Sequence, residues 1–145
     1  LVDLSGGHGQ ISQALAKHTQ NLTFTIRDLS HVVEQGRAAL PSESKGQISF
    51  ETQNFKKPQP SKKLPYAYLI SRCLRNWSDC HSAVILRDLV PGLKTSSKVL
   101  VWDSVLVDRP VKKLSEKFNL QQDFIMATIQ MARTDRWKSL DNLYS

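Results

Sequence analysis

LVDLSGGHG, residues 1–9, joins a short apolar strand to a turn that holds three glycines. Glycine has no Cβ atom, so the backbone at Gly6, Gly7 and Gly9 can turn sharply and come close to a ligand. In open α/β sheets, ligands bind beyond the carboxyl ends of the strands, which is where this turn lies. The opening of the chain therefore predicts a ligand site at the end of the first strand.

A second strand, predicted over residues 22–26, leads into Asp28 nineteen residues after Gly9. A carboxylate at this place can accept both hydroxyls of a ribose, so the turn and Asp28 together indicate an adenosine-containing ligand. The dinucleotide fingerprint needs a third glycine where this chain has Ser12, and the chain has no phosphate-binding GxxxxGK[ST] loop. A ligand without phosphate is favoured, while an ordinary strand–turn–helix connection with incidental glycines is the alternative.

The rest of the chain alternates strands with helices. Apolar residues at helical spacing (Ile11, Ala14, Leu15) predict the face of a first helix that packs on the sheet. Further helices are predicted over 30–40, 79–93 with a break near Pro91, 114–131 and from 137, and further strands over 48–51, 66–71 and 98–105. This order predicts an α/β fold with a mostly parallel sheet and right-handed crossovers. The apolar strands, above all 98–105, predict burial on both faces.

Composition narrows the class of protein. A chain of 145 residues with 40% hydrophobic side chains predicts one domain that needs no disulfide. Its two cysteines lack metal-type spacing, which favours a reducing, cytoplasmic compartment and no metal. The net charge of +7 is scattered, so we expect a solvated surface and no nucleic-acid partner. No apolar run is long enough for a membrane helix.

Several segments resemble the small-molecule O-methyltransferase family of fungal and plant natural-product pathways. VDLSGGHG (2–9) is similar to its first motif, VDxGGGxG, and FTIRDLSHVV (24–33) is similar to the strand and helix start that end in DLPxV. LRNWSD (74–79) resembles the more specific LHDWSD motif, and ILR (85–87) and VLVWD (99–103) continue the similarity. The resemblance extends over nearly the whole chain.

The resemblance implies a Rossmann-like S-adenosylmethionine (SAM) methyltransferase fold with helices on both faces of the sheet. It implies that Asp3, Gly6, Gly7 and Gly9 line the methionine and ribose, that Asp28 binds the ribose, that Asn54 and Phe55 flank the adenine, and that Trp77 closes one side of the pocket. Asn54 stands where the family usually has Asp, but its amide still offers an acceptor and a donor. Simple packing is an equally good explanation of Trp77.

Residue 75 departs from the family pattern. The family has a histidine there, which removes a proton from the substrate hydroxyl, whereas this chain has Arg75. A guanidinium stays protonated in proteins and cannot take that proton, and the loss of a general base costs about 10²–10⁴ in rate. Asp103 matches the acidic group that orients the histidine, but a second acidic group is missing at Ala132-Arg133-Thr134.

Three functions follow from these residues. The first is O-methyl transfer, a transferase reaction of secondary metabolism, to an oxygen that is already ionised, with Arg75 stabilising the oxyanion. The second is a non-methylating, pericyclase-like or dehydratase reaction in which Arg75 polarises a carbonyl. The third is an idle SAM-binding module.

The resemblance also sets expectations for the whole protein. We expect residues 1–145 to be a SAM-binding domain that is incomplete at both ends, with the last strands of the sheet missing. The substrate is expected to be a phenolic or polyketide-derived small molecule. The family's helices before this domain form part of the substrate pocket and an intertwined dimer, so a homodimer is expected through segments absent from this chain.

Overall fold

The structure is a computed structural model that describes residues 1–62, 64–104, 110 and 112–130. Five strands form one sheet in the order β3-β2-β1-β4-β5, and all four neighbouring pairs are parallel. The strands are β1 (Val2–Leu4), β2 (Phe24–Asp28), β3 (Ile48–Thr52), β4 (Ala67–Ser71) and β5 (Lys98–Trp102). The predicted parallel α/β sheet is confirmed, and its strand order reverses between β1 and β4.

The described residues form four α-helices: α1 (Gln10–Ala16), α2 (Ser30–Ala39), α3 (Asp79–Leu89) and α4 (Leu114–Gln130). Both α1 and α2 contact β2 and β3. The helix predicted over 79–93 ends at Leu89, and a 3-10 turn around Pro91 follows it, as the proline indicated. The predicted helix from residue 137 and the segment 132–134 lie outside the described residues.

The chain divides into two compact units. The first contains Leu1–Ser71 and Val84–Trp102, and the second contains Arg72–Ala83 and Asp103–Ser145. One core cluster of the first unit lies between β2, β3 and α2, and it contains six buried apolar side chains: Phe24, Ile26, Val33, Leu40, Ile48 and Phe50. In the second unit, the Glu116 carboxylate accepts hydrogen bonds from the backbone N–H groups of Lys112 and Lys113 and so caps the start of α4.

Two predictions about burial are wrong. The expected apolar face of α1 is not the buried one, because Ser12 is fully buried while Leu15 is 42% exposed. The Ser12 hydroxyl donates a hydrogen bond to Asp3, which turns that side of the helix toward β1. Every residue of β5 is exposed, Trp102 to 58%, and its only described neighbour in the sheet is β4.

The boundaries of β2 also differ from the prediction. The strand begins at Phe24 instead of Leu22 and extends through Asp28, because Arg27 and Asp28 pair with Glu51 and Thr52 of β3. As a result, Asp28 belongs to the sheet itself. Among the described residues, no helix has the length and apolar character needed to cross a bilayer.

Candidate functional site

The glycine turn leaves β1 in a tight, left-handed path. Ser5 (φ 58°), Gly7 (φ 58°) and Gly9 (φ 77°) all have positive φ values. The Gly9 N–H donates to the Gly6 carbonyl over 2.9 Å, and the Ser5 N–H donates to the Arg27 carbonyl over 2.8 Å. These bonds tie both ends of the turn, so that α1 begins directly after Gly9.

Asp28 closes onto this turn from the neighbouring strand. One carboxylate oxygen, Oδ2, accepts a 2.9 Å hydrogen bond from the Gly7 N–H, and the other, Oδ1, accepts one of 2.8 Å from the Leu29 N–H. The side chain is 8% exposed. A carboxylate has about four acceptor positions, so each oxygen keeps a lone pair for a further donor such as a ribose hydroxyl.

Asp3 lies beneath the turn and is almost fully buried. Its Oδ2 accepts a 2.6 Å hydrogen bond from the Ser12 hydroxyl, while its Oδ1 has no hydrogen-bond partner. A Cβ atom at Gly6 would come within 2.6–2.9 Å of the Asp3 carboxyl group, so only glycine fits beside it. Burial raises the pKa of Asp3, partly offset by the Ser12 hydrogen bond, and the negative charge of Asp28 raises it further.

The loop after β3 carries the two residues expected beside an adenine. Its first residue, Gln53, donates its backbone N–H to the Asp28 carbonyl over 2.9 Å. The Asn54 side-chain oxygen accepts a 2.9 Å hydrogen bond from the Lys56 N–H, which holds the amide in a local turn. Asn54 and Phe55 are both half-buried. The loop therefore starts at the same strand end as Asp28.

A buried polar cluster is centred on Arg27, on the face of the sheet opposite the core that packs on α2. It was not predicted from the sequence. Arg27, a residue that is 5% exposed, donates from its guanidinium to the Glu51 carboxylate (2.9 Å), to the Gln59 side-chain oxygen (3.3 Å) and to the Tyr68 hydroxyl (3.3 Å). A basic residue directly after a predicted apolar strand was the available signal. Desolvation raises the pKa of Tyr68, against the opposing effect of Arg27.

Arg75 and Asp103 meet in the second unit. The Arg75 backbone N–H donates to Asp103 Oδ2 over 3.1 Å, and the guanidinium Nε lies 3.8 Å from Asp103 Oδ1. The Arg75 side chain is 11% exposed, and its Nη1 also donates to the Ser104 hydroxyl over 3.5 Å. The guanidinium is thus neutralised by a neighbouring carboxylate, and its buried Nε–H group makes no hydrogen bond.

Trp77 follows the short 3-10 turn Leu74–Asn76 in the second unit. The Trp77 side chain is half-buried, and its ring centroid lies 6.0 Å from that of His81, at an interplanar angle of 42°. His81 in turn shares a 2.8 Å hydrogen bond with the Ser78 hydroxyl. These contacts agree with a packing role for Trp77.

The structure therefore groups the predicted residues into two sets. One set comprises Asp3, Gly6, Gly7, Gly9 and Asp28 with the adjoining Asn54 and Phe55, and it belongs to the first unit. The other comprises Arg75, Trp77 and Asp103, and it belongs to the second unit. Within the described residues, no group of three His, Cys, Asp or Glu side chains could hold a metal ion.

Comparison with known proteins gives a consistent result. Residues 1–144 match the family described as O-methyltransferase domain. The chain is 34% identical to O-methyltransferase AMT9 of Alternaria alternata, over 97% of this chain and 34% of the relative. It is 36% identical to O-methyltransferase sol2 of Alternaria solani, over 99% of this chain and 34% of the relative. It thus spans about a third of the length of these curated relatives.

Several solved structures have the same fold as this chain. LepI in complex with SAM superposes with a TM-score of 0.78 at 25% identity, over 97% of this chain and 36% of that one. A structure described as a pericyclic reaction enzyme gives the same TM-score, identity and coverage. The mitomycin 7-O-methyltransferase MmcR, at 24% identity and a TM-score of 0.74 over 93% of this chain and 39% of that one, shares the fold.

Proposed function

We propose, because this chain belongs to the O-methyltransferase domain family, that it forms the SAM-binding part of an enzyme that methylates an oxygen of a small molecule. The observation that carries this proposal is the hydrogen bond from the Gly7 N–H to Asp28, which closes the glycine turn at the carboxyl ends of β1 and β2. A turn held in this way exposes backbone beside a carboxylate that can still accept ribose hydroxyls.

The residues present suit this cofactor. Asp3 Oδ1 is a buried acceptor without a partner, and such a group normally has a donor in the functional state. A Cβ atom at Gly7 would meet nothing within 4 Å, so the turn faces open space there. We assign the methionine and ribose to Asp3, Gly6, Gly7, Gly9 and Asp28, and the adenine to Asn54 and Phe55. The resemblance to the family supports a role of Trp77 in cofactor binding as well.

SAM, when bound, supplies a methyl group on a cationic sulfur, which keeps the electron pair of the broken C–S bond. Arg75 cannot accept the proton of the attacking hydroxyl, so the substrate has to reach the enzyme as an oxyanion. We assign to Arg75 a hydrogen bond to that oxygen and to Asp103 the positioning of the guanidinium. A phenol or an acid that is ionised near neutral pH meets this requirement, and so does an ionised phenolic polyketide.

A second candidate function is a rearrangement or dehydration in which no methyl group is transferred. It is supported by the buried Arg75–Asp103 pair at the position of the family's histidine, and by the similarity to a pericyclic reaction enzyme. In this reaction Arg75 would donate a hydrogen bond to a substrate carbonyl and polarise it, which needs no general base.

The two reactions differ in whether the cofactor is consumed. The full-length protein is incubated with methyl-labelled SAM and phenolic or polyketide-derived substrates. We expect S-adenosylhomocysteine to form in step with a methylated product. Product without S-adenosylhomocysteine supports the second candidate, and binding of SAM without any product supports an idle module.

The Arg75→His variant sharpens this test, because it restores the family's base. An Arg75→Lys variant keeps the cation and is the matched control. If the chain methylates ionised substrates, Arg75→His extends activity to un-ionised hydroxyls by about 10²-fold, whereas Arg75→Lys does not. If the wild type transfers no methyl group but the Arg75→His variant does, the result favours the second candidate instead.

The quaternary state belongs to the same proposal. We propose that the full-length enzyme is a cytoplasmic homodimer formed through segments outside residues 1–145. The resemblance to the family supports this proposal. Light scattering of the full-length protein is expected to give twice the chain mass, and a monomer would contradict it.

A further inference from the structure

The loop of residues 53–62 is attached to the rest of the first unit at one buried side chain. Gln59 is 2% exposed, and it is the only buried residue of this loop, all of which is described. Its neighbours Pro58 and Pro60 are exposed. The side chain that anchors the loop is therefore polar, which requires partners inside the protein.

Gln59 makes three hydrogen bonds, two through its side chain and one through its backbone N–H. Its side-chain oxygen accepts a hydrogen bond from Arg27 Nη1 (3.3 Å), and its backbone N–H donates to the Asp88 carbonyl (2.8 Å). Its side-chain Nε2 donates to the Lys57 carbonyl over 3.3 Å, which connects the anchor back into the loop. The three bonds join the loop to β2, to α3 and to itself.

Gly92 leaves the space that this arrangement needs. A Cβ atom at residue 92 would lie 2.9 Å from the Gln59 Cβ and would collide with the Tyr68 hydroxyl. Gln59 and Tyr68 are both acceptors for the same Arg27 guanidinium nitrogen, so the loop, β4 and the 3-10 turn meet at one point.

The buried positive charge of Arg27 makes it costly to lose the hydrogen bond to Gln59. Arg27 has a 6% exposed side chain, and a buried guanidinium is costly unless its N–H groups are satisfied. If the loop moves away, Arg27 Nη1 loses an acceptor in a place with little access to water. The position of the loop is thus coupled to the solvation of a cation inside the sheet.

We infer that Gln59 is a positioning residue, which through Arg27 holds the segment that carries Asn54 and Phe55 in place to recognise the base of the ligand. This inference rests on the proposed function, in which that base is adenine. In this inference Gln59 and Arg27 act through the loop and make no contact with the ligand. The effect is expected in the choice between bases more than in the stability of the fold.

The test compares two variants of Gln59 by calorimetric binding. Gln59→Met keeps the length of the side chain but removes the acceptor, whereas Gln59→Glu keeps an acceptor for Arg27. We expect Gln59→Met to bind S-adenosylhomocysteine about tenfold more weakly, with Gln59→Glu close to wild type. The preference for S-adenosylhomocysteine over S-inosylhomocysteine, which differs only in the base, should shrink in Gln59→Met.

Gln47→Met is the matched control. Gln47 also fixes a loop of the first unit, by donating to the carbonyls of Thr19 and Leu22, but it lies outside residues 53–62. It should lower stability about as much as Gln59→Met and leave the preference for adenine unchanged. An equal loss of base preference in both variants, or none in Gln59→Met, overturns the inference.

Amide hydrogen exchange separates this inference from the proposed function. Gln59→Met should speed exchange at Lys56 and Lys57 with no ligand present, because their loop loses its anchor. Unchanged exchange there contradicts the anchoring. If the wild-type chain binds no S-adenosylhomocysteine, the proposed function fails and the role in adenine recognition fails with it, whereas faster exchange would still support the anchor.

Discussion

Asp28 and Asp103 make the same backbone contacts in the two units of the chain. Each is at or just after the end of a strand, and each accepts a hydrogen bond at Oδ1 from the N–H of the next residue, Leu29 or Ser104. Each accepts another at Oδ2 from the N–H of a turn after a different strand, at Gly7 or at Arg75. The two carboxylates therefore each fix a turn.

The turns themselves begin alike and then differ. Ser5 after β1 and Arg72 after β4 both have left-handed backbone, with φ values of 58° and 52°. The first turn continues through glycines and presents only backbone to Asp28. The second presents the Arg75 side chain, whose guanidinium neutralises Asp103. In the described residues Asp28 has no ion pair, so it keeps its full charge for a ligand's hydroxyls.

The largest expected effect is the difference in ligand affinity between variants that lack one or the other of these two carboxylates. Asp28→Ala should weaken binding of S-adenosylhomocysteine about 100-fold, because it removes both the ribose acceptor and the bond that holds Gly7. Asp103→Ala should leave that affinity within about twofold and speed amide exchange at Arg75 instead. Calorimetry and hydrogen exchange on both variants measure these effects. Equal losses of affinity would show that the two carboxylates do not have separate roles.

A smaller effect distinguishes two glycines of the first turn. Gly9→Ala should lower the free energy of unfolding by about 3 kcal/mol, because its φ is positive and its Cβ would lie 2.9 Å from Ile26 Cδ1. Gly7→Ala should cost only about 1 kcal/mol, since its Cβ meets open space, yet it should weaken ligand binding more than tenfold. Urea unfolding and calorimetry test the pair, and unimpaired binding by Gly7→Ala would place the ligand elsewhere.

The smallest effect concerns Asp3 and pH. Burial raises the pKa of Asp3 in the folded state, so the folded chain binds a proton more tightly than the unfolded chain does. The contribution of Asp3 to stability is therefore complete below its unfolded pKa and is lost as the pH rises through its folded pKa. Asp3→Asn should remove this loss and flatten the acidic side of the stability profile. Urea titrations between about pH 3.5 and 7 measure it, and parallel profiles for the two proteins would contradict it.

Much of the fold could be predicted because the strands carry their own signal. Runs of apolar, β-forming residues that alternate with segments of helical periodicity indicate a parallel sheet. The glycine turn together with Asp28 indicates the edge of that sheet at which a ligand binds. Burial was harder to predict, because it depends on which distant segments pack over the faces of each strand. β5 is as apolar as a central strand, yet all of it is exposed.

The cluster around Arg27 was unpredictable for a related reason. Its partners Glu51, Gln59 and Tyr68 come from β3, a loop and β4, so they are far apart in the chain and meet only in the folded sheet. Ser12 occupies the position at which a dinucleotide-binding motif has its third glycine. In the structure it is the hydrogen-bond donor that satisfies one oxygen of buried Asp3.

The sequence by itself determined the residue types at the strand ends: flexible glycines, an acidic residue after them and an arginine in place of a histidine. Those features depend on local chemistry, which each residue carries wherever the chain folds. Only the tertiary structure decided which groups are neutralised. Asp103 pairs with Arg75 while Asp28 binds backbone N–H groups alone, because parallel pairing of distant strands sets which turn each carboxylate meets.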